Sequence, residues 1–276
     1  MLAARNLAKA WLLLVGFCVA LAALGWALGG YRLASIFLFC GLLSAGGLAF
    51  YADRVALGMV GARELPIAEA PIVHSTIERL ALLAGVPKPR VYVLPDPHPR
   101  ALSAGRGARG ASIAVSHGLL ALLTPAELEG VLAHEVAKIA NRDVTVQTPS
   151  AVLAAMVIET SRLGGWLERA LLFVLGPIAA AFLHLLLSEK REFAADRAAA
   201  GLCGSPHGLA DALIRLEQTE ELFEFAASPA TEPLYTVNPF AEEGLAALFV
   251  THPPVSERVQ RLRALDPNWR DKLRAA

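Results

Sequence analysis

Three residues on one short run could do chemistry together: His134, Glu135 and Lys138, within VLAHEVAKIANRD (131–143). An H-E-x-x-H helix sets two imidazoles four residues apart on one face, so both reach a single zinc ion, and the glutamate beside the first serves as general base. Here the first imidazole and the glutamate are present, but the place of the second is taken by Lys138. Downstream, Glu192 and Asp196 in EKREFAADRAAAGLCG are also four apart and share a helix face. A catalytic zinc takes three protein ligands and keeps an open position, so Glu192 is the obvious carboxylate ligand. Asp196, one turn on, is placed to orient His134 by accepting from its far nitrogen. Asn141 falls on nearly the same helix face as His134 and joins the outer group.

Lys138 strikes the metal itself. A lysine carries donors and a positive charge, and ligates zinc only after losing its proton. An ammonium between His134 and Glu192 could instead take the metal's place and pair with Glu135 and Glu192. Other histidines offer poor rescue. His184 lies two turns before Glu192 and well round the helix, His98 sits in a proline-rich loop, and His74, His117 and His207 read as surface or capping residues. GRGARG (105–110) reads as a hairpin loop, since no strand–Gly-rich turn–helix context supports a phosphate cradle.

The elements that position these residues are set in a very apolar chain. Of 276 residues 55% are hydrophobic and 18% charged, with mean hydropathy +0.49, which points to a membrane protein. Formal charge is zero with basic residues scattered, so no nucleic-acid partner is expected. The three cysteines form no metal or redox motif, and Cys18 and Cys40 are read as buried free thiols. Uncharged runs between Lys9 and Arg32 (22 residues) and between Arg32 and Asp53 (20 residues) each suffice for a spanning helix and predict an N-terminal hairpin. A 19-residue run, 170–188, predicts a third span kinked at Gly176 and Pro177. The run 144–158 could be a short span, an interfacial helix or core. Arg5, Lys9, Arg54 and Arg63 place the N-terminus and the polar region in the cytoplasm.

Between the spans, spacing predicts an amphipathic helix over 64–86, strands at 90–95 and 111–116, and a short helix at GLLALL. Thr124, Pro125 and Glu127 form a capping box with proline in the first helical turn, starting a helix that runs to about Ala140. Helices through 189–201, over 207–226 and after 251 complete the reading, with a proline-rich loop containing NPF (238–240) between the last two.

GLLALLTPAELEGVLAHEVAKIANRD, KREFAAD and LFVTHPPVSERVQRLRAL, in that order, resemble the HtpX-type integral-membrane zinc metalloproteases, relatives of the CAAX prenyl proteases. The resemblance runs over nearly the whole chain. It implies His134 and Glu192 as zinc ligands, Glu135 as general base, and Asp196 as the partner of His134. It also implies that His252 and Arg258 approach the substrate's developing oxyanion, and that the strand 111–116 is the edge on which a substrate peptide adds. The expected architecture is a mainly α membrane protein with a small β-sheet: a transmembrane hairpin (1–52), then a zincin-like, gluzincin-type domain (53–276) interrupted at about 144–188 by one or two membrane helices. Expected partners are membrane lipid and a polypeptide substrate or partner membrane protein, at a bacterial inner membrane with the domain facing the cytoplasm. Two functions stay open. One is a zinc endopeptidase cleaving damaged or unassembled membrane proteins; the other is a catalytically silent relative serving as scaffold or binding subunit.

Overall fold

A computed structural model describes residues 2–162, 187, 189–220, 234–236 and 251–267. The third span expected at 170–188, His184 and the NPF loop lie outside the described residues, apart from Leu187.

The N-terminal run forms α1 (Leu2–Met59), which is broken at Gly29 and Gly30. Gly30 has φ 65, a left-handed conformation that glycine adopts without steric cost. A Cβ on Gly41 would touch Cys18 and Leu21, so the two arms fold back on each other as the expected hairpin. Trp11, Val15, Trp26, Ile36, Phe39 and Leu43 are exposed along the arms. Such a sheath suits lipid, and Gly25–Gly47 is long and apolar enough to cross a membrane. Cys18 is buried but Cys40 is exposed, which corrects the expectation that both are buried; both are free thiols.

The polar region opens with β1 (Arg63–Glu64) and α2 (Pro71–Leu83). The helix expected from residue 64 therefore starts later, at a proline in its first turn. β2 (Arg90–Leu94), β3 (Ala101–Gly105) and β4 (Ala111–Ser116) complete a sheet of order β1-β2-β4-β3. β2 runs parallel to β4, while β3 and β4 form an antiparallel hairpin closed by the GRGARG turn. The loop carrying His98 thus joins β2 to β3 rather than closing a hairpin. The strand 111–116, expected at the edge, is internal, and β3 is the edge instead.

α3 (His117–Leu122) leads into α4 (Pro125–Ala140), whose capping box forms as expected: Thr124 Oγ1 accepts from the Glu127 backbone N–H, and Glu127 Oε2 accepts from that of Thr124. α5 (Val144–Arg162) buries Val146, Ala151, Val152 and Ala155 with Ala52, Ala56 and Leu57 of α1. Residues 144–155 are therefore largely buried, packed on α1. α6 (Glu189–Cys203) and α7 (His207–Glu220) pack on α4, and α8 (Val255–Arg263) packs on α6 and α7. Val131, Leu132, Val136 and Ile139 of α4 join Ile113 and Val115 of the sheet and Leu209 and Leu213 of α7 in one core. Each such side chain, fully buried, stabilises by about 1.5–3 kcal/mol.

α4 and α7 touch at backbone distance. A Cβ on Gly130 would stand 2.5 Å from the Leu209 backbone nitrogen, and one on Gly208 would strike the Ala126 carbonyl. Gly130→Val is accordingly expected to destabilise by about 1–3 kcal/mol or more through overpacking, read as a lowered midpoint of chemical denaturation in detergent.

Candidate metal centre

α4 is the platform. Its apolar residues lock it into the core, and the same burial places His134, Glu135 and Lys138 fully out of solvent. α6 packs across it and brings Glu192 and Asp196, both nearly buried, to the His134 ring. His134 Nδ1 lies 2.9 Å from Asp196 Oδ1, and His134 Nε2 lies 3.3 Å from Glu192 Oε2, the latter short of hydrogen-bond geometry. Asp196 thus holds the far nitrogen, as expected, and leaves Nε2 facing Glu192.

α8 contributes the cation. Arg258, fully buried, donates from Nε to Asp196 Oδ2 (2.9 Å) and from Nη2 to Asp196 Oδ1 (2.7 Å), a bidentate pair. Its Nη1 donates to the Thr236 carbonyl at 2.6 Å. His252, just before α8, sets Nδ1 3.4 Å from Glu192 Oε2. His134, Glu135, Lys138, Glu192, Asp196, His252 and Arg258 therefore meet in one place. Asn141 stands at the C-cap of α4, one turn beyond Lys138.

Thr236, with Leu234 and Tyr235, is the part that spacing did not reveal. Thr236 Oγ1 donates to Glu135 Oε1 at 2.7 Å, and the Leu234 and Tyr235 carbonyls accept from Lys138 Nζ at 3.2 and 3.4 Å. The only sequence signal was a short β-prone run, LYTV, inside a proline-rich stretch.

The charges shift one another. Burial alone would push the Asp196 carboxyl up, but the Arg258 guanidinium and the His134 ring outweigh it and hold it at about 2. Burial likewise opposes ionisation of Glu192, yet His252 and Lys138 keep it well below the usual carboxylate range. Burial lowers the proton affinity of His134, and the neighbouring Asp196 and Glu192 carboxylates more than reverse this, raising its pKa. Because the folded-state pKa of Asp196 is depressed, its ionised form stabilises the fold above the ordinary value of 3.8, and that contribution is lost as pH falls through about 2. Acid denaturation followed by tryptophan fluorescence is expected to show this loss, and Asp196→Asn to remove that component of the pH dependence.

The residues present do not fit a three-ligand zinc site. His134, Glu192 and His252 lie close together, yet among the described residues no three of His, Cys, Asp and Glu are arranged to hold a metal ion. The position of the second imidazole holds the Lys138 side chain, its Nζ 3.6 Å from Glu135 Oε2. A positive charge with donors only stands where an electron-pair donor is required.

A profile of Peptidase family M48 matches residues 67–266. A protein named "Protease HtpX homolog" from Pelotomaculum thermopropionicum is 37% identical over 278 residues, covering 94% of this chain and 99% of the relative. Proteins of the same name from Persephonella marina (40% identity, 77% of this chain and 81% of the relative) and Pyrococcus abyssi (39%, 86% and 87%) are similar. Among solved structures, the crystal structure of S. mikatae Ste24p aligns over 95% of this chain and 66% of that one, at 19% identity and TM-score 0.49. The chain is a membrane protein that belongs to peptidase family M48, among its HtpX-type members, a membership that implies a metal cofactor and polypeptide substrates.

Proposed function

We propose that this chain carries the polypeptide-handling apparatus of an HtpX-type metalloendopeptidase for damaged or unassembled membrane proteins, and that Lys138 holds it in a non-cleaving state. The observation that carries this reading is the buried Lys138 ammonium, 3.6 Å from Glu135 Oε2 and bonded to two main-chain carbonyls. In this state the cation does electrostatic work that a metal would otherwise do: it lies among Glu135 and Glu192, whose charges would be costly to bury without a counter-ion. The chain then serves as a binding or scaffold subunit at the membrane. We place its N-terminal hairpin in a bacterial inner membrane and the domain from residue 53 on the cytoplasmic side, with residues 144–188 forming the membrane insertion.

The second reading, an active zinc endopeptidase, draws support from the intact remainder of the site. His134 and Glu192 would be ligands, Glu135 the base, Asp196 the partner that orients His134, with Asn141 beside it, and His252 and Arg258 the groups facing the developing oxyanion. Cleavage of unfolded β-casein in detergent separates the two. The first reading expects this chain to cleave no faster than its Glu135→Gln variant. Cleavage that disappears on Glu135→Gln establishes the second.

A further inference from the structure

The sheet ends at β3, and an edge strand with unpaired main-chain groups is where an extended peptide adds. In this protein that position is already taken. Leu102 of β3 bridges antiparallel to Tyr235, and Thr236 donates from its backbone nitrogen to the Ala101 carbonyl at 3.0 Å. Leu234, Tyr235 and Thr236 are buried to within about 1% of their surface.

These three residues also engage the charged centre one after another. The Leu234 and Tyr235 carbonyls accept from Lys138, the Thr236 hydroxyl donates to Glu135, and the Thr236 carbonyl accepts from Arg258. A short segment that bridges antiparallel to the edge strand at Tyr235, with its carbonyls turned to the buried cations, sits where the main chain of an added peptide would pair. From this geometry we infer that Leu234–Thr236 is an intramolecular occupant of the peptide-binding edge, and that Lys138 is the clamp that holds it there. The inference rests on the reading that polypeptide binds at this edge. A polypeptide must then displace the segment from Ala101 and Leu102 before its own main chain can pair with β3.

The clamp has two separable parts. One is the β3 pairing, and the other is the pair of bonds from Lys138. Directly opposed residues of an antiparallel pair lie about 4.5–5.5 Å apart at Cα, within the range a disulfide spans. A chain carrying Leu102→Cys and Tyr235→Cys, with Cys18, Cys40 and Cys203 changed to alanine, can therefore be locked by oxidation and released by reduction. Binding of fluorescein-labelled β-casein to the full-length protein in detergent, followed by anisotropy, reads the outcome. The oxidised form is expected to bind at least about tenfold more weakly than the same protein reduced, a difference of roughly 1.4 kcal/mol. Independently, Lys138→Met in the otherwise unaltered chain is expected to bind the probe more tightly than the parent.

Equal affinity in the oxidised and reduced forms, or no gain with Lys138→Met, overturns the inference while leaving polypeptide binding intact. Absence of binding by the parent, the reduced form and Lys138→Met alike defeats the reading that this protein takes polypeptide, and the inference falls with it.

Discussion

Lys138→His is expected to raise cleavage of unfolded β-casein by more than about 100-fold over the parent chain. Outer partners of metal ligands alone are worth about 10–100-fold in affinity or activity, and this change supplies a direct ligand. The geometry favours it. Positions 134 and 138 are one turn apart on a helix whose start is fixed by a formed capping box, and both side chains are fully buried on the face toward α6. Imidazole at 138 would face Glu192 with His134, whose ring is already oriented by Asp196. The substitution also removes the donor to the Leu234 and Tyr235 carbonyls and loosens the segment on β3. Adding Glu135→Gln to Lys138→His is expected to return cleavage to background. Cleavage by Lys138→His that survives Glu135→Gln would place the catalytic base elsewhere.

The second large effect is on stability. Arg258→Ala is expected to cost about 3–5 kcal/mol, because it leaves the Asp196 carboxylate buried without its counter-ion. The guanidinium makes two bonds to Asp196 and one to the Thr236 carbonyl, and none of it reaches solvent. Deleting its apolar stem adds a void between α6 and α8. Arg258→Lys keeps the charge but not the planar fork, so it is expected to fall between parent and alanine. Equilibrium denaturation in detergent measures the series. A loss under about 1 kcal/mol for Arg258→Ala would show that the pair contributes no more than a surface salt bridge.

Much of the site was legible because it is helical and local. The i to i+4 spacings of His134/Lys138 and Glu192/Asp196 translate directly into shared faces, and Thr124, Pro125 and Glu127 set the start of α4 to the residue. Even the His252–Arg258 pair, separated from α4 by more than a hundred residues, followed from the resemblance of its motif. What escaped was non-local or weakly encoded. β3 reads ALSAG, small residues with little β preference, so it was not read as a strand, and the resemblance put the peptide-binding edge on the neighbouring ASIAVS strand. The parallel pairing of β2 with β4 cannot be read from two short strands alone. Leu234–Thr236 is held by bonds to residues about a hundred positions earlier, and its local sequence offers no periodicity to place it. At 144–158 the apolar run was compatible with a short span, an interfacial helix or core, and what the structure adds is that residues 144–155 are largely buried, packed on α1.

Zinc per chain in detergent-purified protein at neutral pH, with Lys138→His prepared in parallel, shows whether the ammonium occupies the metal's place. No stoichiometric zinc is expected in this chain, and about one zinc per chain in Lys138→His. About one zinc per chain in both would contradict it, showing that the metal binds despite Lys138 and that the ammonium does not occupy its place.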